Sequence, residues 1–144
     1  MTTITRTDLQ AVIDRFLAVW QRRDAAGLAQ FHAIDGHVES PMYGTLVGRP
    51  AVEDAYRAFF TSFPDVSFEV EQVVIEPPDI ALFGAFTATH VNEFFGLAGT
   101  SRRIDFRGSR LFHMNGDLIE RERRIYDFTG ILVQVGVLRA KPAK

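Results

Sequence analysis

Few side chains in this sequence combine a reactive type with suitable surroundings, and Asp127 is the first of them. It lies between Tyr126 and Phe128, in an apolar neighbourhood. If its carboxyl group points into an apolar interior, burial raises its pKa towards neutrality and makes it a proton carrier. The alternative is that Asp127 caps a helix that starts near Thr129, because aspartate is a favoured residue at a helix N-cap. The residues alone leave both interpretations open.

The four histidines are further candidates for acid/base or ligand-binding roles. His90 ends a predicted strand on the parity of its apolar residues, which is typical of a core histidine and also of a pocket wall. His37 and Glu39 share a parity in an extended stretch, where they either reach a pocket mouth or face solvent. His113 lies on another predicted strand, and His32 carries no functional signal.

The spacing of these histidines does not favour a metal site. The sequence contains no HxH, HxxxH or HExxH motif, and these are the patterns that bring histidine ligands together. It contains no cysteine, which excludes disulfides, thiolate metal sites and a cysteine nucleophile. Serine-nucleophile, phosphate-loop and dinucleotide motifs are also missing. We therefore expect neither a metal nor an organic cofactor.

The elements that must position these residues follow from the apolar periodicity. Helical spacing predicts a first helix around 9–20, a short second helix over 24–31, and a third that begins at Gly48-Arg49-Pro50 and ends at Pro64-Asp65. A short strand or loop is expected around 38–42, and 129–139 predicts a final helix or strand. Period-two alternation predicts four strands, which cover 66–76, 80–91, 104–114 and 118–128.

Helices followed by a meander of long strands predict an α+β fold in a single domain over residues 1–144. A long, twisted sheet curls, and helices on its concave side leave a cone-shaped space suited to a ligand. The chain has 13 phenylalanines against three tyrosines and one tryptophan, so both core and cavity would be poor in hydroxyl groups. Phe16, Trp20 and Phe60 are predicted to line the cavity.

The turn between the last two strands predicts which residues face inward. Asn115-Gly116 is a strong signal for a two-residue hairpin turn. With that turn, Asp127 pairs near Ile104, and its face of the sheet is predicted to point inward because it is the more apolar one. The same register puts His113 on the opposite face, and a β-bulge or a three-residue turn would be needed to bring the two together. The residues predicted to share the face of Asp127 are Phe106, Phe112, Ile119 and Ile125.

Composition narrows the classes of partner. The chain of 144 residues is 47% hydrophobic and 24% charged, with a net charge of −2. This balance excludes a strongly basic nucleic-acid binder and a polybasic membrane-surface protein. The apolar runs are far shorter than the ~20 residues that span a bilayer, and the N-terminus lacks the apolar region of a signal peptide. We expect a cytoplasmic protein with neither nucleic acid nor membrane as partner.

Four segments of the sequence carry a resemblance to a known family. In order and spacing, over 9–136, the chain resembles the SnoaL-like polyketide cyclases. These belong to the NTF2-like superfamily, which also contains ketosteroid isomerase and limonene-epoxide hydrolase. The segments are Phe63-Pro64-Asp65, Thr89-His90-Val91-Asn92-Glu93-Phe94-Phe95-Gly96, Arg103-Ile104-Asp105-Phe106-Arg107-Gly108, and Tyr126-Asp127 through Leu132-Val133-Gln134-Val135-Gly136.

The resemblance implies a fold, an activity and a site. The fold is an α+β cone with a deep apolar pocket, in a homodimer formed through the outer face of the sheet. The activity is an aldol-type ring closure or a steroid-type isomerisation of an apolar, carbonyl-bearing substrate, without a cofactor. Asp127 corresponds to the general acid/base, His113 to the histidine near it, and His90 to a pocket-lining position. One departure is that 120–124 carries more charge than a pocket wall should.

Three functional hypotheses follow. The first is a small cofactor-independent cyclase or isomerase with catalytic Asp127 and His113. Its substrate would contact His90, Phe16, Trp20, Glu39 and Phe60. The second is a non-catalytic domain that binds a hydrophobic small molecule, and the third is an interaction module that dimerises through its sheet. An epoxide hydrolase is not favoured, because no Asp-Arg-Asp set is evident.

Overall fold

A computed structural model describes residues 3–139, and within them four helices pack against one face of a curled sheet of six strands that does not close into a barrel. The helices are α1 (Arg6–Gln21), α2 (Ala25–Ala29), α3 (Arg49–Ser62) and α4 (Phe128–Val135). The strands are β1 (His32–Ser40), β2 (Gly44–Val47), β3 (Ser67–Glu76), β4 (Asp79–Thr89), β5 (Arg103–Asn115) and β6 (Leu118–Tyr126).

The order of strands across the sheet is β2-β1-β6-β5-β4-β3. All neighbouring pairs are antiparallel except β1 and β6, which run parallel. Helix α3 connects β2 at one edge to β3 at the other. The predicted α+β class and the strand meander are confirmed. The hairpin of β1 and β2 is longer than the short strand or loop expected around 38–42.

The helices begin where the sequence satisfies their free backbone N–H groups. Thr5 and Asp8 form a capping box at the start of α1, and this pair satisfies two donors that the helix itself leaves unpaired. Pro50 stands in the first turn of α3, where the N–H that proline lacks is not needed. The two long helices bury their apolar faces against the sheet, through Leu9, Val12, Ile13, Phe16 and Trp20 from α1 and Val52, Ala55, Tyr56 and Phe60 from α3.

A β-bulge in β6 reverses the faces that the sequence predicted for that strand. Met114 pairs with Ile119, but His113 pairs with Arg121, so Glu120 is an extra residue between them. Beyond a one-residue slip every side chain changes face. The prediction that Ile125 points inward is therefore wrong, because Ile125 is 61% exposed. Glu122, Arg124 and Tyr126 face the interior instead.

None of the helices within residues 3–139 is both long enough and apolar enough to cross a membrane.

Candidate functional site

A cavity lies between the helices and the concave face of the sheet. It encloses about 40 Å³, which is room for roughly three water molecules. Its walls are mainly aromatic. They include all three tyrosines of the chain, together with Ser109 and two arginines, so the prediction that the cavity is poor in hydroxyl groups is wrong. A ligand with a ring system would have to displace some of the lining side chains. The lining residues are Trp20, Met42, Tyr43, Ala55, Tyr56, Phe59, Phe68, Phe86, Phe106, Gly108, Ser109, Arg110, Arg124 and Tyr126.

One wall of the cavity is a stack of aromatic rings from three adjacent strands. The ring centroids of Phe68 and Phe86 lie 4.5 Å apart, and those of Phe86 and Phe106 lie 4.6 Å apart with nearly parallel planes. Trp20 packs against this stack from α1. Gly84 makes the stack possible, since a Cβ atom at that position would collide with the ring of Phe68. The stacked rings cover each other's faces and make this wall of the cavity apolar.

The floor of the cavity carries two arginines around a buried carboxylate. Nη1 of Arg110 donates a hydrogen bond to the hydroxyl of Tyr56 over 2.6 Å and lies 3.5 Å from Oε2 of Glu122. Nε of Arg124 donates to the same Oε2. The guanidinium carbon of Arg124 also lies 4.9 Å from the centre of the Tyr56 ring, a favourable cation–π distance. Arg110 and Arg124 line the cavity, whereas Glu122 does not.

The charges at this floor are set by burial and by the arginines. Burial raises the pKa of Glu122, but Arg124 and Arg110 outweigh it and hold the pKa at about 2. Burial lowers the pKa of His32 to about 4, and Nε2 of His32 lies 3.6 Å from Oε1 of Glu122. At neutral pH the floor therefore holds an ionised carboxylate, a neutral imidazole and two guanidinium cations.

Ser40 holds in place one side of the cavity, which Met42, Tyr43 and Tyr126 line. Its Oγ accepts hydrogen bonds from the backbone N–H groups of Met42 and Tyr43, both over 3.2 Å, and lies 3.2 Å from the hydroxyl of Tyr126. Burial raises the pKa of the Tyr43 hydroxyl, and the neighbouring Tyr126 adds to that shift. The Tyr43 ring stacks on Phe95 with a centroid distance of 6.3 Å. These contacts place the phenol groups of Tyr43 and Tyr126 on this side of the cavity.

Asp127 lies outside this cavity. It is the N-cap of α4, it is exposed, and its Oδ1 accepts a hydrogen bond from the N–H of Gly130 over 2.8 Å. The prediction that Asp127 faces inward is wrong, because the bulge in β6 changes the faces of the strand and the strand ends at Tyr126. The capping interpretation matches the observed contact. The acid/base role of Asp127 stays a prediction.

The structure does not bring His113 and Asp127 together in the cavity. His113 lies on the outer face of the sheet, where its Nδ1 is 2.7 Å from Oδ1 of Asp79 and its Nε2 is 3.8 Å from Oε2 of Glu120. Glu39 lines the same shallow depression of the outer face and pairs with Arg123 over 3.3 Å. Both predicted site residues are thus on the opposite side of the sheet from the aromatic rings.

His90 is fully buried under the segment 91–102 and does not line the cavity. Its Nδ1 lies 2.9 Å from Oγ1 of Thr100 and accepts the N–H of Thr100 over 3.3 Å. The rings of Phe63 and Phe94 pack against it. These contacts are those of a core histidine, and the ligand-binding role predicted for His90 remains untested.

The three aromatic residues predicted for the cavity occupy different depths. Trp20 lines it directly. Phe60 lies behind the wall, with its ring centroid 5.3 Å from that of Trp20 and 5.7 Å from that of Tyr56. Phe16 is buried next to the floor, with the guanidinium carbon of Arg110 5.8 Å from its ring centre. Phe16 and Phe60 therefore support the cavity without lining it.

The polar floor was missed from sequence. Its residues, Tyr56, Arg110, Glu122 and Arg124, come from α3, β5 and β6 and share no motif. The one available signal is the run of charges over 120–124 in a strand whose neighbours are apolar. Among residues 3–139, no group of three or more histidine, aspartate or glutamate side chains is arranged to hold a metal ion.

Comparison with known proteins settles the family. The family profile described as "SnoaL-like polyketide cyclase" matches residues 10–135. The chain belongs to the SnoaL-like polyketide cyclase family. That match covers every residue that lines the cavity. None of the curated proteins matches this SnoaL-like chain in sequence.

Solved structures share the fold of this SnoaL-like protein. AclR from Streptomyces galilaeus, provisionally described as a hydroxylase, superposes with a TM-score of 0.81 at 22% identity, over 94% of this chain and 100% of its own. A SnoaL-like polyketide cyclase from Agrobacterium tumefaciens gives 0.71 at 21%, over 94% and 100%. A protein from Catenulispora acidiphila with a ketosteroid isomerase-like fold gives 0.74 at 15%, over 87% and 92%. At these identities the likeness establishes the fold alone, and activity must be argued from the site.

Proposed function

We propose that this SnoaL-like chain is a cyclase- or isomerase-like enzyme that acts on an apolar, carbonyl-bearing ring compound held in the aromatic cavity. The observation that carries the proposal is the pair of buried arginines, Arg110 and Arg124, in the lining of a mainly aromatic cavity. Fixed hydrogen-bond donors in a site that excludes water stabilise negative charge far better than water-exposed donors do. Such a floor suits a carbonyl oxygen that gains charge during the reaction.

The step that this geometry favours is enolisation. The ligand carbonyl oxygen accepts hydrogen bonds from Arg124 and Tyr56, a neighbouring carbon loses a proton to a base, and the electron pair of that C–H bond moves to give an enolate. In a ring closure, the enolate carbon bonds to a second carbonyl carbon of the same molecule, and the oxygen of that carbonyl takes up a proton. In an isomerisation, the proton returns to a different carbon.

Tyr56 and Glu122 have distinct parts in this proposal. The Tyr56 hydroxyl oxygen accepts a hydrogen bond from Arg110, so its own proton is left to donate to a ligand oxygen. Glu122 is a weak base, because the arginines hold its pKa at about 2. We assign it a positioning role, in which one carboxylate oxygen fixes the direction of both guanidinium groups.

A second function is favoured by one observation. Within the part of the chain that the structure describes, the lining of the cavity includes no carboxylate and no histidine. A protein of this kind could bind a hydrophobic carbonyl compound without turning it over. In the enzymatic alternative, the proton acceptor is a cavity tyrosine, a water molecule or a basic atom of the ligand.

We also propose that two copies of the chain associate through the outer face of the sheet. Four apolar side chains from adjacent strands are each more than two-fifths exposed on that face, and charged residues flank them. Contiguous exposed apolar patches are typical of protein interfaces. The four are Val74, Phe83, Leu111 and Ile125.

Proton exchange on an enolisable ketone tests the proposed activity. We would follow by proton NMR the loss of the α-proton signals of 2-tetralone in D₂O, with and without the protein. We expect the protein to accelerate exchange and Tyr56→Phe to lower the catalysed rate roughly 10-fold or more. Arg123→Gln, a change on the outer face of the sheet, serves as the control. Binding of 2-tetralone without faster exchange would reject the enzyme and favour the binding domain.

A further inference from the structure

The net charge of the side chains at the cavity floor indicates the charge of the ligand. The buried side chains there are Arg110 and Arg124, both cations, and Glu122, one anion. His32 does not add a charge at neutral pH, and the half-buried Arg49 nearby, which donates to the carbonyl oxygen of His32 over 2.7 Å, adds a further positive one. The described residues of the floor therefore carry at least one uncompensated positive charge.

One guanidinium nitrogen at this floor lacks a partner. Nη2 of Arg124 makes no hydrogen bond within the described structure, although the Arg124 side chain is only 8% exposed. A buried charge is costly unless it is paired and hydrogen-bonded. Oε2 of Glu122 accepts a hydrogen bond from Nε of Arg124 and lies 3.5 Å from Nη1 of Arg110. Its Oε1 also makes no hydrogen bond and lies 3.6 Å from Nε2 of His32, so it does not pair with Nη2 of Arg124. A second anion on the cavity side would complete the pairing.

The cavity is the side from which a ligand would reach these groups. Arg110, Arg124 and the hydroxyl-bearing Tyr56 all line it, together with the stacked rings of Phe68, Phe86 and Phe106. An anion that reaches the floor must therefore belong to a molecule whose body packs against aromatic side chains. A freely hydrated inorganic ion would lose its water shell there without gaining contacts for the apolar wall.

From this we infer that the ligand of the proposed function carries an ionised oxygen already in its bound ground state, a carboxylate or the enolate of a 1,3-dicarbonyl, on an apolar ring. The inference rests on the proposed function and narrows its substrate class from carbonyl compounds in general to ring-borne oxyanions. It also explains why the cavity lining lacks a carboxylate base. A 1,3-dicarbonyl that binds as its enolate has already lost the proton that such a base would remove.

Two matched pairs of probes test this by isothermal titration calorimetry. The first is 2-naphthoate against its neutral isostere 2-naphthamide, and the second is the enolate of 1,3-indandione against the neutral ketone 1-indanone. Hydrogen bonds to a charged group favour the anion of a pair, and we expect at least one anion to bind about 10-fold to 100-fold more tightly than its neutral partner. A preference only for naphthoate identifies a carboxylate ligand, and a preference only for the indandione enolate identifies a dicarbonyl.

Substitutions of the floor arginines test whether the preference for the anion arises at the cavity floor. We expect Arg124→Gln, or Arg110→Gln if the first variant folds poorly, to abolish the preference for the anion. The matched control is Arg123→Gln, which removes an arginine from the outer face of the same strand and should leave the preference intact. An anion preference that survives both floor variants would overturn the inference, because the site would then lie elsewhere.

The comparison in the wild-type protein needs no variant and can also overturn the inference. If both neutral probes bind as tightly as their anions, the ligand is not an oxyanion, while the proposed chemistry on a neutral carbonyl compound stands. If none of the four probes binds, the cavity is not a site for flat carbonyl compounds, and the inference and the proposed function fail together.

Discussion

Glu122 and Arg124 lie two residues apart on β6, and their side chains pair with each other inside the molecule, beneath the aromatic cavity. Both would face solvent if the strand kept the register that a two-residue Asn115-Gly116 turn predicts. The extra residue, Glu120, turns them inward. A local irregularity of the backbone therefore decides where the polar groups of the site are.

We expect Glu122→Gln to destabilise the protein strongly. The change removes the anion that lies between two buried guanidinium groups, and breaking a buried ion pair costs about 3–5 kcal/mol in the free energy of unfolding. Urea denaturation followed by circular dichroism measures this. Glu120→Gln is the matched control on the outer side of the same strand and should stay within about 0.5 kcal/mol of wild type. Equal stability of Glu122→Gln and Glu120→Gln would contradict the assigned role.

The stability of the protein should fall as the pH is lowered from 6.5. Because burial lowers the pKa of His32 from 6.5 to about 4, the unfolded chain takes up this proton first, and stability is lost between those values. Glu122 has a folded pKa of about 2 against an ordinary 4.5, so its contribution is lost from about 4.5 downward. The slope is at most about 1.4 kcal/mol per pH unit for each group.

Urea denaturation at a series of pH values checks this profile. His32→Gln should flatten the slope between pH 6.5 and 4, where its imidazole is the titrating group. His37→Gln changes an exposed histidine of the same strand and should keep the wild-type slope. A wild-type stability that does not change across this range would show that His32 is not held neutral by burial.

Two substitutions of Asp127 distinguish a capping role of this residue from a catalytic role. Asparagine caps helices about as well as aspartate, whereas alanine at an N-cap costs about 1 kcal/mol. We expect Asp127→Asn to keep the stability of the wild type and its rate of ketone exchange, and Asp127→Ala to lose about 1 kcal/mol. Loss of exchange in a fully folded Asp127→Asn protein would restore the acid/base role that the resemblance implied.

The outer face of the sheet should hold a dimer together. Leu111 on β5 and Val133 on α4 are both 44% exposed, which makes them a matched pair. Introducing a charge by Leu111→Glu should convert dimers into monomers in sedimentation velocity runs, because a carboxylate in an apolar interface loses its hydration. Val133→Glu should leave the dimer intact. A wild-type protein that sediments as a monomer at micromolar concentration would contradict the proposal.

The elements were predictable from sequence because periodicity reports burial directly. The apolar spacing on α1 and α3 and the alternation on β3 to β6 are consequences of one buried face per element. The observed bounds differ from the predicted ones by a few residues at most helix and strand ends, where capping and fraying decide the last residues. The parallel pairing of β1 with β6 has no comparable local signal, since it joins segments about 80 residues apart.

The candidate site was not predictable in the same way. The direction of each side chain on β6 depends on a bulge at Glu120, and no residue type in the sequence predicts that bulge. Without the bulge, the alternation along β6 predicts that Arg124 faces solvent and that Asp127 faces inward. Trp20 was predicted correctly because it lies on the regular apolar stripe of α1, which no slip interrupts. Where the backbone is regular the sequence pattern is sufficient, and at the bulge it is not.

The most direct test of the proposed site compares the two arginines on either side of β6. Arg124 lines the cavity floor, and Arg123 lies on the outer face. The measurement is the rate at which 2-tetralone exchanges its α-protons in D₂O with each variant, Arg124→Gln and Arg123→Gln, at the same protein concentration. Removing a donor to a developing oxyanion costs about 100-fold or more in rate, so we expect Arg124→Gln to lose nearly all acceleration and Arg123→Gln to keep it. Equal rates in the two folded variants would contradict the assignment of the site to the inner floor of the cavity.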